Sequence, residues 1–412
     1  MPLPRSPRLH PQIHASGNGV GMTRCVRRRR GKSPEALQSL PFNEDMLREI
    51  LLRLSPQPSS LLRASAVCKH WRGLVTDPRF LRRFRAHQGK PPLLGVFETY
   101  IWNIRFRSTL DTPDRIPQER FDARDLSGSS DNVKLLGCRH GRVLLLDVER
   151  HKVIVCDPIT GEHHRVATPR VFRGLYNYGA VLCAAADDDH VHGSCHSSPF
   201  KVVLMCLDGV TDFKPFSCVY SSKTRVWGNI ITATDECHLA DSNPGVLVNN
   251  VLYWSSKTPS PNATFLYLAG QTDDIVEFDL DRHSLAVIKG PACLNRSLAH
   301  QIIRAEDDAL GLAILLHGRF EVWQRMVCCH DGGTTWLLHN SLEVHTLLGL
   351  PPQIQGPMKI LGYDEDNHAI FLFVDANVYM LQLMSMQFTK LYESQYPFKC
   401  HPFASFYARA HP

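Results

Sequence analysis

At 412 residues and 43% hydrophobic content, the chain is too long for one typical core and has ample material for two or more domains. Its formal charge of +6 is unevenly placed: of 46 basic and 40 acidic residues, eight basic and one acidic fall in residues 1–38, leaving 38 against 39 over the remainder. A near-neutral body excludes a nucleic-acid surface spread along the whole chain, thirteen irregularly spaced cysteines exclude a paired disulfide framework, and no apolar run approaches the roughly 18 to 20 residues that span a bilayer.

Residues 1–38 are rich in Pro, Arg and Gly without periodicity and read as a disordered basic tail. Arg27-Arg28-Arg29-Arg30 with Lys32 reads first as a solvated basic tail, then as a nuclear-import signal, and least as an organelle transit peptide. An apolar stretch of secretory-signal type is absent there. Gly31-Lys32-Ser33 ends like a phosphate loop, but Val26 stands where that loop needs glycine.

Helical periodicity begins next. Met46, Leu47, Ile50, Leu51 and Leu54 fall on one helix face, with Asn43 placed to cap it and Glu44 and Asp45 at the positive end of the dipole. Ser55-Pro56-Gln57-Pro58 ends that helix. A second, short helix carrying Leu61, Leu62, Ala64 and Ala66 is expected to start at a Ser59 or Ser60 cap. Val67, Cys68, Trp71, Leu74 and Val75 form a third face, stopped by Asp77-Pro78, and Phe80, Leu81 and Phe84 begin another turn. Residues 39–86 are close to the lower limit for an autonomous core, so part of this apolar surface is expected to meet a partner or, as the alternative, the chain's own second domain.

Leu40-Pro41, Met46-Leu47, Glu49-Ile50-Leu51, Leu54, Leu61-Leu62, Val67-Cys68-Lys69, Trp71-Arg72 and Asp77-Pro78 resemble the F-box motif in order and spacing, with Phe42-Asn43 inserted after Leu-Pro. The resemblance implies binding to a small Skp-type adaptor and, through it, a cullin within a ubiquitin ligase. It places Leu40, Pro41, Leu47, Ile50, Leu51, Leu54, Leu62, Val67, Cys68 and Trp71 at or under the adaptor contact.

From Pro91 the period changes to short strand-like runs between Gly, Asp, Asn and Pro turns. Similar units run over 141–166, 201–230, 245–288, 310–344 and 360–393, with Cys156, Tyr220, Phe278, Trp323 and Tyr379 in corresponding places. Their spacing fits four-stranded propeller blades; with residues 93–124 the count is about six, and residues 398–408 are expected to pair with the first blade and close the ring. Val155 to Glu162 (V-x-D-P-x-T-G-E) and Leu252-Tyr253-Trp254 resemble the propeller region behind the motif in plant F-box proteins. The expected architecture is therefore multidomain, α plus all-β: a tail, a small three-helix F-box over 39–86, and a kelch-like β-propeller over 91–410 that binds an unidentified protein target.

The chemistry-bearing clusters are sparse. His190, His192, Cys195 and His196 have metal-ligand types but sit in a small-residue insertion that reads as a mobile loop, so no metal and no cofactor are expected. Cys328-Cys329-His330 lacks the surroundings of an activated nucleophile. Asp273-Asp274 and Asp307-Asp308 read as solvated turn carboxylates, and Tyr220, Trp227, Trp254, Trp323 and Trp336 as blade packing. The leading reading is a non-catalytic substrate receptor in the cytoplasm, the nucleus or both, with no membrane partner. Two others stand beside it: a helical nucleic-acid-binding module using Lys69, His70, Arg72, Arg82, Arg83 and Arg85 with the basic tail, against which the neutral body argues, and a propeller enzyme with no legible active site.

Overall fold

The computed structural model describes residues 44–100, 103–122, 126, 132–173, 177–185, 190–193, 195, 197–207, 214–237, 243–255, 274–294, 299–327, 333–351 and 356–407. The chain divides into two compact units, residues 1–47 and 48–412. What is described of the first is the opening turn of helix α1 (Glu44–Leu52), the rest of which belongs to the second. Asn43, Leu40-Pro41 and the Arg27–Arg30 run lie outside the described residues.

Three more helices follow: α2 (Pro58–Ser65), α3 (Lys69–Thr76) and α4 (Pro78–Gln88). The expected serine cap of α2 is not used. Pro58 occupies the first helical position behind Gln57, because its fixed φ suits a helix start and its missing N–H is one no helix bond needs. The proline expected only to end α1 thus begins α2. Cys68 caps α3, its Sγ accepting from the Trp71 N–H at 3.5 Å, and Asp77 caps α4, accepting from the Arg79 N–H at 3.0 Å. Gln88 at the far end of α4 donates to the carbonyls of Leu52 and Leu54, satisfying the end of α1.

Six antiparallel sheets make up the described β region. Blade 2 runs Val133–Arg139, Arg142–Asp147, Lys152–Asp157 and Glu162–Ala167. Blade 3 runs Asn177–Cys183, Phe200–Leu207, Pro215–Ser221 and the short Val226–Trp227, with Ile231–Thr232 added beside its third strand. Blade 4 is Val246–Val248, Val251–Ser255, Asp274–Asp279 and Ser284–Lys289, and blade 5 is Ala299–Arg304, Leu310–Leu316, Arg319–Val327 and Thr334–Glu343. Blade 6 is Met358–Asp364, Ala369–Val374, Asn377–Gln382 and Gln387–Glu393. Blade 1 is built from both ends of the region: Leu93–Tyr100 pairs Asn103–Ser108 on one side and Lys399–Ala404 on the other. The ring is closed as expected, with Val96 opposite Pro402 and Phe97 opposite His401.

Cys156, Tyr220, Phe278, Trp323 and Tyr379 all lie in the third strand of successive blades, so the repeat was placed correctly. The repeat units over 141–166, 201–230 and 310–344 began one strand too late, omitting Val133–Arg139, Asn177–Cys183 and Ala299–Arg304. These first strands carry Gly, His, Gln or Asn among their apolar residues and show no clean alternation.

Burial follows strand position. Arg142–Asp147 and Ala369–Val374 are buried at every residue because each blade face packs on a neighbour, whereas the outermost Glu162–Ala167 and Gln387–Glu393 are largely exposed. The core is accordingly spread between blades: Leu144, Val153 and Val155 of blade 2 meet Val181, Val202 and Leu204 of blade 3, and Val96 and Cys400 of blade 1 meet Phe371 and Phe373 of blade 6. Trp227 and Trp336 donate from their indole nitrogens to the carbonyls of Ala167 and Lys289, each at 2.9 Å, joining a blade to the last residue of the blade before it. An aspartate repeatedly closes the hairpins: Oδ1 of Asp157, Asp279 and Asp364 each accepts two following backbone N–H groups. Asp274 departs from the solvated-turn expectation, being buried on blade 4 and paired with Lys289.

Candidate docking surface and the propeller centre

The helical segment separates its apolar side chains into two sets. Leu51, Ala64, Leu74, Val75, Phe80 and Phe84 are buried, with the Phe80 and Phe84 rings stacked 6.2 Å apart. Ile50 remains 56% exposed, Leu62 37% and Val67 62%. Three large apolar side chains left in water within eighteen residues are the pattern of a surface awaiting a partner, because this segment already has a filled core beneath it. Leu47 is buried and Met46 exposed on α1, Leu54 and Trp71 are half-buried, and Cys68 is exposed. Of the residues expected at or under the contact, Ile50, Leu62, Val67 and Cys68 are therefore presented to solvent, while Leu51 lies beneath. Leu40 and Pro41 are outside the described residues.

The segment is tied to the connection that follows Asn103–Ser108 by the Ser59 N–H, which donates to Asp114 Oδ1 at 2.7 Å. Of the basic residues weighed for nucleic acid, Arg83 pairs with Glu49 at 3.1 Å and Arg72 donates to the carbonyl of Ser65 at 3.4 Å.

Around the propeller centre a depression is lined by Arg139, His140, Gly245, Gln301, Glu365 and Asp366 among others. Arg139 of blade 2 holds the Glu365 carboxylate from blade 6 and donates to the Gly245 carbonyl at 2.6 Å, while Glu365 accepts from the Leu247 N–H of blade 4 at 2.9 Å. Burial disfavours the Arg139 charge, but the charge and hydrogen bonds of Glu365, with Asp366 and Cys138 adding to them, hold its pKa above the ordinary value. Arg304 of blade 5 donates to the Glu365 carbonyl at 3.1 Å. One turn thus gathers four blades, which makes this cluster a strut across the ring. Sequence reasoning missed it because Arg139 and Glu365 are 226 residues apart.

His401 lines the same depression from the closing strand. It is buried, its Nε2 lies 3.4 Å from the Thr99 hydroxyl, and burial followed by the charges of Lys399 and Lys134 pushes its pKa down to about 3. Above the usual imidazole pKa near 6.5 both folded and unfolded chains hold it neutral. Below that, the unfolded chain takes up a proton that the folded chain refuses, so stability falls as pH drops from about 6.5 towards 3. The loss approaches about 1.4 kcal/mol per pH unit for this one group. Unfolding free energies from urea titrations at pH 7 and pH 5 are expected to differ by about 2 kcal/mol more in the wild type than in His401→Gln. Equal pH dependence in both would contradict this reading of His401.

His190, His192 and Cys195 are brought together with Cys183, which was not among the expected ligand residues; His196 and Cys328-Cys329-His330 lie outside the described residues. Trp254 and Tyr220 are buried and Trp227, Trp323 and Trp336 partly so, in keeping with blade packing. Among the described residues no helix is long and apolar enough to cross a membrane.

Helices with exposed apolar side chains, followed by six antiparallel blades closed by the last strand, define the chain as one of the F-box-and-propeller class. It belongs to the F-box protein AT5G49610-like β-propeller family, whose profile matches residues 134–408, and an F-box-like profile matches residues 37–87. Two Arabidopsis thaliana relatives are similar to it. F-box protein At5g49610 is 26% identical over 326 residues, covering 76% of this chain and 82% of the relative. F-box/kelch-repeat protein At3g23880 is 22% identical over 267 residues, covering 61% and 66%. Among solved structures, apo AztD from Citrobacter koseri shares 13% identity at a TM-score of 0.31, covering 64% of this chain and 72% of that one.

Proposed function

We propose that this chain is the substrate-recognition subunit of a cullin-RING ubiquitin ligase of the SCF type. Residues 39–86 dock on a Skp-type adaptor, and the propeller over 91–410 holds the target protein. The observation that carries this is the exposure of Ile50, Leu62 and Val67 over an already filled core, within the segment that matches the F-box-like family. Leu40, Pro41, Leu54, Cys68 and Trp71 complete the contact, with Leu47 and Leu51 supporting it from below.

In this reading the chain makes and breaks no bond. It holds the target beside the transferring enzyme, replacing a bimolecular encounter by a tethered one of high effective concentration. The loops of the propeller carry specificity, since the rigid blades position them and leave them free to vary. The complex works in the cytoplasm, the nucleus or both. The test is co-purification of the tagged full chain from plant cells. A cullin and a Skp-type adaptor are expected with the wild type and absent with Ile50→Asp/Val67→Asp; a wild-type chain that recovers neither overturns the proposal.

A further inference from the structure

Cys183 is the last residue of the first strand of blade 3, and the chain returns to the second strand at Phe200. Between them it brings His190, His192 and Cys195 back onto Cys183. Nε2 of His190 lies 3.2 Å from Sγ of Cys183 and 3.2 Å from Sγ of Cys195, and Nδ1 of His192 lies 3.7 Å from Sγ of Cys195. One ligand atom from each of the four residues falls within 4.8 Å of all the others. A tetrahedral zinc ion with Zn–S near 2.3 Å and Zn–N near 2.0 to 2.1 Å separates its ligand atoms by about 3.4 to 3.8 Å, which is the scale seen here.

The surrounding contacts hold the ligands in place. Buried Arg142 donates to the carbonyls of Cys195 and Ser198. The Cys183 N–H donates to Nδ1 of His140 at 3.1 Å, and the His140 ring stacks on His192 with centroids 3.7 Å apart. The Gly193 carbonyl accepts from the Ser405 hydroxyl at 2.9 Å and from the Phe406 N–H at 3.0 Å, just beyond the closing strand. Gly193 has φ +89, and a Cβ there would come within 2.5 Å of Pro91, so this segment is fitted closely to the ends of the propeller region. Such contacts position the chain segment that carries the ligands.

We propose that Cys183, His190, His192 and Cys195 bind a structural zinc ion that fastens the insertion of blade 3 to the ring closure. Two thiolates and two imidazoles suit zinc and exclude the hard cations magnesium and calcium, which take oxygen ligands. Four protein ligands leave no open position, so the ion is structural rather than catalytic. The proposal departs from the expectation of no metal at this segment.

The test uses the full chain purified under reducing conditions. Elemental analysis is expected to find about one zinc per chain, and Co²⁺ added to the metal-stripped chain is expected to give a thiolate-to-cobalt charge-transfer band and tetrahedral visible bands. Cys183→Ser/Cys195→Ser is expected to lose both signals. Because that variant risks misfolding, His192→Gln, at the exposed edge of the set, is measured as well and is expected to keep its circular dichroism while binding zinc at least about tenfold more weakly. Three results overturn the proposal: a folded wild-type chain with substoichiometric zinc and no cobalt bands, metal binding unchanged in both variants, or rapid alkylation that finds Cys183 and Cys195 joined as a disulfide in the metal-free protein.

Discussion

Ile50→Asp combined with Val67→Asp is expected to weaken binding of a Skp-type adaptor at least a hundredfold, measured by interferometry with the full chain. Both side chains are more than half exposed in the free protein, so neither substitution opens a cavity or strands a charge in the core. In the complex each apolar side chain that becomes buried contributes about 1.5 to 3 kcal/mol, and a carboxylate put in its place must be desolvated without a partner. A loss of about 3 kcal/mol or more corresponds to the hundredfold change. Thermal unfolding is expected to move little. An unchanged affinity would remove Ile50 and Val67 from the contact, whereas a collapse of the fold would show that they are not free surface.

The second large effect is at the ring closure. Gly362 sits in the first strand of blade 6, at a register shift against its neighbour, and a Cβ there would lie 2.0 Å from the backbone carbonyl oxygen of Cys400. A backbone atom cannot swing aside, so Gly362→Val must push blade 6 away from the closing strand of blade 1 and disturb the packing of Val96, Cys400 and Phe371. We expect a loss of at least about 3 kcal/mol in urea unfolding, with lowered soluble yield. Gly73→Ala is the control with the opposite sign. It lies inside α3 with no atom within 4 Å of the added Cβ, so the higher helix propensity of alanine should stabilise by up to about 1 kcal/mol. If Gly362→Val unfolds with the wild-type midpoint, the close approach at the closure is wrong.

Much of this was legible beforehand. The helical faces could be read because one side of each short helix is apolar at helical spacing, and the blade register because an aromatic or apolar residue recurs in each third strand. What escaped depends on contacts across long separations. Asn177–Cys183 and Ala299–Arg304 are short and mixed, and their character comes from packing at the ring centre rather than from alternation. The start of α2 was misplaced because proline reads as a helix breaker from behind and a helix starter from ahead. Cys183 was hidden because its strand is apolar enough to make it look like a core thiol; only the return of the chain sets it against His190 and Cys195. The strut from Arg139 to Glu365 has no local signal at all.

Arg142–Asp147 and Ala369–Val374 are covered on both faces, and the pairing of Leu93–Tyr100 with Lys399–Ala404 leaves no free edge at the closure. Under the proposed function, this ring would present loops to a target while the apolar face of the helical segment stays available to the ligase.

The most direct measurement is the binary affinity of the purified full chain for a purified plant Skp-type adaptor, without cullin or target. A one-to-one complex with a dissociation constant of about a micromolar or tighter, lost in Ile50→Asp/Val67→Asp, is the predicted result. A folded wild-type chain that forms no complex at tens of micromolar, or one that binds as well with both aspartates in place, would contradict the account.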